Sequence, residues 1–219
     1  VQSSKFLKVY KMDNLQIGTY GWQKDSWIGS FYPDDLPEDW MLEFYANAYR
    51  VVLVPEQAWL NWDDEVINET LDAVEGAFSF YFEVSNQFDE AKIEQLDKIN
   101  NAISVIAAEE NPEICGGVIL FSEELSAAHA YSGLPLTLVS NSQTIDGWQW
   151  QNQNVICSGE PCGVLFELDD NAKQQRAILQ SFMQSLPEGT MGAPLLLRKE
   201  NIDMQQVFTL KTIAEFLGY

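Results

Sequence analysis

Glu83, Glu167 and Arg198 are residues whose types could do chemistry together. Each lies in or just after an apolar run that reads as a β-strand, near the place where that strand finishes. Two carboxylates facing a guanidinium can separate their pKa values into an acid and a base, the equipment of a hydrolase or a lyase. Thr19, Tyr20, Trp22 and Trp27 follow or close the first such run, Glu123 follows the fourth and Asn141 the fifth, so these six are candidate ligand-binding groups. Ser85, Asp169 and Lys199 sit at comparable places. Side chains alternate across a strand, and the sequence leaves open which parity points inward. For each carboxylate, a solvated loop position is the competing reading.

The elements that must position these groups alternate in type. Leu15 to Tyr20 reads as a strand, and Pro37-Glu38-Asp39 opens a helix as proline and acids in a first turn do. Val51 to Val54 is a β-favouring run stopped by Pro55. Asp63 to Glu75 and Asp89 to Glu110 have apolar residues at helical spacing, and Phe78 to Val84 is an aromatic-rich strand between them. Further strands are expected at Gly117 to Phe121, Leu134 to Val139, Val155 to Cys157, Val164 to Leu168 and Pro194 to Leu197. Helices are expected at Asn171 to Leu186 and Met204 to Leu217, with only a short one beginning at Ser122. The stretch from Ser140 to Pro161, rich in Gln and Asn, is the least regular.

About eight strands separated mostly by helices, with strands apolar along their whole length, indicate a parallel sheet covered by helices. The count favours a single α/β TIM-like (β/α) barrel with degenerate or missing helices between residues 122 and 162. No linker or internal repeat divides the chain, so residues 1–219 read as one domain. Residues 1–11 lack an obvious role and read as a disordered or non-native leader before Met12. In such a barrel the ligand end is where the strands finish, which is why the strand-end residues are singled out.

Charge excludes some functions. The formal net charge is −21, and residues 51–170 hold two lysines, Lys92 and Lys98, against 22 acidic residues. That field repels phosphate backbones and anionic lipid, so neither nucleic acid nor a membrane is an expected partner. Solubility is the plainer meaning of the charge, and a basic partner or a cationic ligand the sharper one. No apolar run is long enough to span a bilayer and no basic-then-apolar leader opens the chain, so a cytoplasmic location is expected.

Cys115, Cys157 and Cys162 lack the close paired spacing of a zinc site, and His129 is the lone histidine. The cysteines read as buried thiols, although the turn-like segment between Cys157 and Cys162 leaves a bridge thinkable. Asp63-Asp64-Glu65 reads as a helix start rather than a ligand set, so no metal site is assigned, and no motif identifies a cofactor. Phosphate-loop, dinucleotide-binding and nucleophile-elbow patterns are absent.

The stretch around the first strand resembles a known family. Ile17-Gly18-Thr19 followed by Gly21-Trp22, then Trp27, Gly29 and Phe31-Tyr32-Pro33, then Leu36-Pro37, Leu42 and Tyr45-Ala46, is similar to the YecE-like family of unknown function. Tyr49 with Val51-Val52, Trp62, and Phe78 with Phe80 continue the resemblance, which is specific over residues 15–62 and loose to about residue 120. The resemblance implies a TIM-like barrel and no particular activity. Where the family keeps a Glu and then an Asn on its second strand, this chain has Leu53 and Pro55; the family's later Glu-x-Arg-His motif has no counterpart. A degenerate or repurposed member is therefore implied.

Two functions from different classes follow. One is a barrel that binds a small ligand or a protein partner at its strand C-terminal end, with a homo-oligomer among the arrangements left open. The other is a hydrolase or lyase using Glu83, Glu167 and Arg198. The aromatic residues Trp22, Trp27, Phe31, Tyr32 and Trp40 either line a pocket by stacking or serve as packing over a helix or the barrel mouth.

Overall fold

The computed structural model describes residues 14–219; the segment read as a leader, residues 1–11, lies outside them. Among the described residues nine strands form one sheet: β1 (Leu15–Tyr20), β2 (Val51–Val54), β3 (Phe78–Ser85), β4 (Ile114–Phe121), β5 (Leu136–Ser140), β6 (Trp148–Asn152), β7 (Val155–Gly159), β8 (Gly163–Leu165) and β9 (Ala193–Leu197). There are seven α-helices among the described residues: α1 (Met41–Ala48), α2 (Glu56–Trp59), α3 (Asp64–Asp72), α4 (Glu90–Glu109), α5 (Leu125–Ala128), α6 (Ala172–Ser185) and α7 (Met204–Phe216). The longer helices after α1 begin at side-chain caps: Asp63, Asp89, Asn171 and Asp203 accept backbone N–H bonds from their first turns. Asp63, at the head of its acidic triplet, is thus a cap.

The strand order is β6-β7-β5-β4-β3-β2-β1-β9-β8. β5, β4, β3, β2, β1, β9 and β8 run parallel, as expected from their continuous apolar runs. β7 pairs antiparallel to β5, and β6 antiparallel to β7. The expected eight parallel strands are thus seven plus an antiparallel hairpin, and the hairpin occupies the Gln- and Asn-rich stretch that had supplied only one strand candidate. Its two strands turn at Gln153, whose φ of 55° is the left-handed geometry of a tight hairpin.

The sheet curls into a barrel that is nearly closed. α6, which follows β8, takes Trp148 and Trp150 of β6 against Phe182, and their indole N–H groups donate to Ser185 and Ser181 at 3.1 Å each. The two ends of the sheet therefore share a helix, while among the described residues no ladder joins them. Between residues 122 and 162, where degenerate or missing helices were expected, the one helix is the short α5, and none lies between β5 and β8. Among the described residues no helix is long and apolar enough to cross a membrane.

Register fixes the inward parity that the sequence left open. Thr19 pairs with Val52 and Leu197, and its hydroxyl and N–H meet the Tyr45 hydroxyl of α1 at 3.0 and 3.1 Å, so this row faces the helices. The neighbouring row, Tyr20, Leu53, Tyr81 and Gly117, faces the barrel interior, with Glu83 two residues further along β3. Gly18, two residues before Tyr20, belongs to this inner row, and a Cβ there would lie 2.2 Å from the Val51 carbonyl oxygen. Gly21 turns the chain out of β1 with φ of 72°, while its N–H still reaches the Leu53 carbonyl at 2.8 Å.

Candidate functional site

The aromatic stretch after β1 is packing rather than pocket wall. Trp27 is 1% exposed, stacks parallel to Tyr45 with ring centroids 6.5 Å apart, and donates its indole N–H to the Ile202 carbonyl at 3.0 Å. Phe31 and Tyr32 lie against Phe44 of α1. The Tyr32 hydroxyl donates to the Trp22 carbonyl at 2.6 Å, and the Trp22 ring is buried against Trp62. Of the two readings of these aromatics, the geometry matches the covering of a helix. Trp40 is the exposed one. Thr19 likewise faces α1, with its hydroxyl shared between Tyr45 and the Gly21 carbonyl.

Three of the candidate residues meet inside the barrel mouth. Glu83 is 2% exposed. Its Oε1 accepts from Arg198 Nε at 2.7 Å and Nη2 at 2.5 Å. Its Oε2 accepts from the Tyr20 hydroxyl at 2.5 Å and from the Glu56 backbone N–H at 3.1 Å. A buried carboxylate persists when charge and hydrogen bonds are supplied together, and here both oxygens are served. Burial first, then the bond to Glu83 and its charge, push the Tyr20 phenol well above its ordinary pKa, so it stays a donor. Glu56 is itself fixed by Lys92 at 2.9 Å and by the Ser85 N–H at 2.6 Å, which holds the start of α2 against the end of β3.

Arg198 arrives because the β8–β9 ladder continues one step past β9, its N–H bonding the Leu165 carbonyl at 2.8 Å. The guanidinium carbon lies 4.8, 5.2 and 5.7 Å from the ring centroids of Phe121, Tyr20 and Phe166. Such contacts suit a planar, weakly hydrated cation. Its side chain is still 32% exposed, and Nη1 has no hydrogen-bond partner among the described residues.

The exposed side of Arg198 opens on a cavity of about 310 Å³ at the C-terminal ends of the parallel strands. Phe121, Phe166, Val139 and Val155 give it apolar walls; Asn86, Ser122, Glu123, Ser140 and Asn141 supply polar groups. Glu123 crosses to the β5 end, where it accepts from the Ser140 hydroxyl at 2.6 Å, the Asn141 N–H at 2.7 Å and the Ser142 hydroxyl at 2.9 Å. The Ser140 bond, then those of Asn141 and Ser142, lower its carboxyl pKa to about 2, so Glu123 is an anion at any physiological pH.

Glu167 is not part of this constellation. It follows inward-facing Phe166 and therefore points the other way, to solvent, with Lys199 at 2.7 Å and its side chain 74% exposed. The cavity's Phe121 and Phe166 were not among the sequence candidates. Their signal was present in β3, where Phe78, Phe80 and Phe82 alternate with Ser79, Tyr81 and Glu83. Taking the more polar row as interior and carrying it through the register reaches Phe121, Phe166 and Arg198 in turn.

The cysteines take no part. All three are free, Cys157 and Cys162 are buried, and burial raises the Cys157 thiol to about 12 and Cys162 well above its usual value. Thiols so placed are inert packing. Cys115 is instead exposed, with its sulfur 2.9 Å from the Ser79 hydroxyl.

The topology is that of a nearly closed βα-barrel with a cavity of about 310 Å³ at the strand C-terminal end. Residues 16–112 match DUF72, a family described as proteins of unknown function. The YecE-like family that residues 15–62 resemble is this same family, so the resemblance holds, over β1 to α4. A solved structure of a DUF72 family protein from Thermotoga maritima aligns with 94% of this chain and 99% of its own, at 8% identity and a TM-score of 0.45. No curated protein matches the chain. Tyr20 and Glu83 fall within the DUF72 segment, whereas Glu123, Asn141 and Arg198 lie beyond it.

Proposed function

We propose that this barrel binds a small organic molecule in the mouth between β4, β5, β8 and β9. The observation that carries the proposal is Arg198, held in place by buried Glu83 and three aromatic rings yet presenting an unpartnered Nη1 beside an apolar-walled cavity. A volume near 310 Å³ suits a compact ligand, since small-molecule pockets run from about 300 to 1,000 Å³. Positioning by rigid strand ends favours specific binding.

The hydrolase or lyase alternative has less support. Glu83 would be its acid or base, but both oxygens are engaged by Arg198, Tyr20 and the Glu56 N–H, and Glu167 is turned away to Lys199. Glu83 reads better as the group that positions Arg198.

A thermal-shift screen of small organic acids, amines, amino acids and sugars tests the proposal. A ligand at about 100 times its Kd stabilises by roughly 2.7 kcal/mol, which raises the melting point of a domain this size by about 5–11 °C. The shift should vanish in Asn141→Trp, which fills the rim while keeping the backbone N–H that Glu123 accepts. A compound that shifts wild type and this variant equally, or a screen with no response, would rule the mouth out.

A further inference from the structure

We infer that the ligand of this mouth is a zwitterion of amino-acid size, its carboxylate on Arg198 and its ammonium on Glu123. The inference rests on the reading of the mouth as a small-molecule site and goes on to assign the chemical class.

Three features of the cavity point to it. The first is the geometry of Arg198. Nε and Nη2 are committed to Glu83, and the aromatic rings of Tyr20, Phe121 and Phe166 surround the guanidinium. Three of the five N–H donors of this permanently protonated group remain, both on Nη1 and the second on Nη2, and a carboxylate is the planar acceptor that the Nη1–Nη2 end matches. The second is Glu123, on the same cavity. It accepts three hydrogen bonds, from Ser140, Asn141 and Ser142, out of about four that an ionised carboxylate can take. It is held as an anion with acceptor capacity to spare, and an ammonium group fits it.

The third is the long-range field. Residues 51–170 carry two lysines against 22 acids, so a bare anion approaching Arg198 is repelled. A bare cation is drawn in but then meets the guanidinium. A ligand of zero net charge avoids both effects and satisfies each end locally. The Phe121–Phe166 pair, in edge contact at 5.9 Å, gives an apolar side chain a wall to lie against.

Three compounds sharing one apolar body separate the possibilities: L-phenylalanine, 3-phenylpropionate with the carboxylate alone, and phenethylamine with the ammonium alone. Titration calorimetry should show phenylalanine binding at least roughly tenfold more tightly than either analogue, the size of one added charge-assisted hydrogen bond. Glu123→Gln should bring phenylalanine down to the level of 3-phenylpropionate, and Glu167→Gln, on the exposed Lys199 pair, should change nothing. Either analogue matching phenylalanine, or Glu123→Gln leaving phenylalanine as tight as before, overturns the zwitterion assignment. So does the absence of binding by all three at millimolar concentration. In each of those cases the mouth itself stands if another ligand from the screen is blocked by Asn141→Trp, and falls with the assignment if none is.

Discussion

Arg198→Met is the perturbation that most exposes the logic of the barrel mouth. Methionine keeps an unbranched apolar stem beside Phe121 and Phe166 while removing the one cation that pairs with Glu83 among the described residues. Glu83 is then a buried carboxylate with the Tyr20 hydroxyl and the Glu56 N–H as its remaining donors. Removing one partner of a buried pair costs about 3–5 kcal/mol, and the partial exposure of Arg198 places the expected loss near the lower figure. For a domain of this size about 3 kcal/mol lowers the melting point by roughly 6–12 °C. Glu83→Gln should cost less, about 1–2 kcal/mol, because the guanidinium it frees already reaches water whereas the carboxylate does not. The double variant should lose less than Arg198→Met alone, since a neutral amide oxygen still accepts from Tyr20 and Glu56 and no charge is left buried. Urea unfolding of the wild type and the three variants at pH 7, followed by circular dichroism, closes the cycle. A loss below about 1 kcal/mol in Arg198→Met, or strict additivity in the double variant, would refute the reasoning.

Three further outcomes follow from the same geometry. Gly18→Ala places a Cβ 2.2 Å from the Val51 carbonyl oxygen, a backbone atom that cannot swing away; a loss at or beyond the usual overpacking range of about 1–3 kcal/mol is expected in urea melts, and a neutral effect would mean that β1 and β2 are not paired as described. Tyr45→Phe removes the hydroxyl that serves the Thr19 N–H and the Val51 carbonyl at 3.1 and 2.9 Å, and leaving buried groups unpaired should cost about 1–3 kcal/mol in the same assay. Glu123→Gln tests a pH dependence: the native carboxyl is depressed to about 2 from an unfolded value near 4.3, so its contribution is full above that value and disappears as pH falls toward 2. The stability gap between wild type and variant should therefore close across that window, and a gap independent of pH would contradict the Ser140–Asn141–Ser142 cradle.

Much of the barrel was legible because parallel strands are buried on both faces and announce themselves as apolar runs. Leu15–Tyr20 and Val51–Val54 have the bounds that their sequence suggests. The hairpin of β6 and β7 was harder, since Trp148 and Trp150 alternate with Gln149 and Gln151 and the polar partners dilute the run. Buried and exposed positions alternate along β6 in that order, a period-two signal visible only once one asks for a half-exposed strand. At the mouth, strand-end position alone pointed to Tyr20, Glu83, Glu123, Asn141 and Arg198. It could not separate Glu167 from Phe166, because a single step along a strand reverses the face. Trp27 illustrates a different gap: an aromatic loop beside a strand end has the same composition whether it lines a pocket or seals a helix, and only the packing of Tyr45 and the Ile202 carbonyl distinguishes them.

The most direct measurement is a crystal structure of the protein soaked with the tightest binder from the screen. The account predicts that molecule in the mouth, against Phe121 and Phe166, with an acceptor within hydrogen-bond distance of Arg198 Nη1 and the Glu83–Arg198 pair intact. A ligand seated elsewhere on the barrel, or one that reaches the mouth by breaking Arg198 away from Glu83, would contradict it.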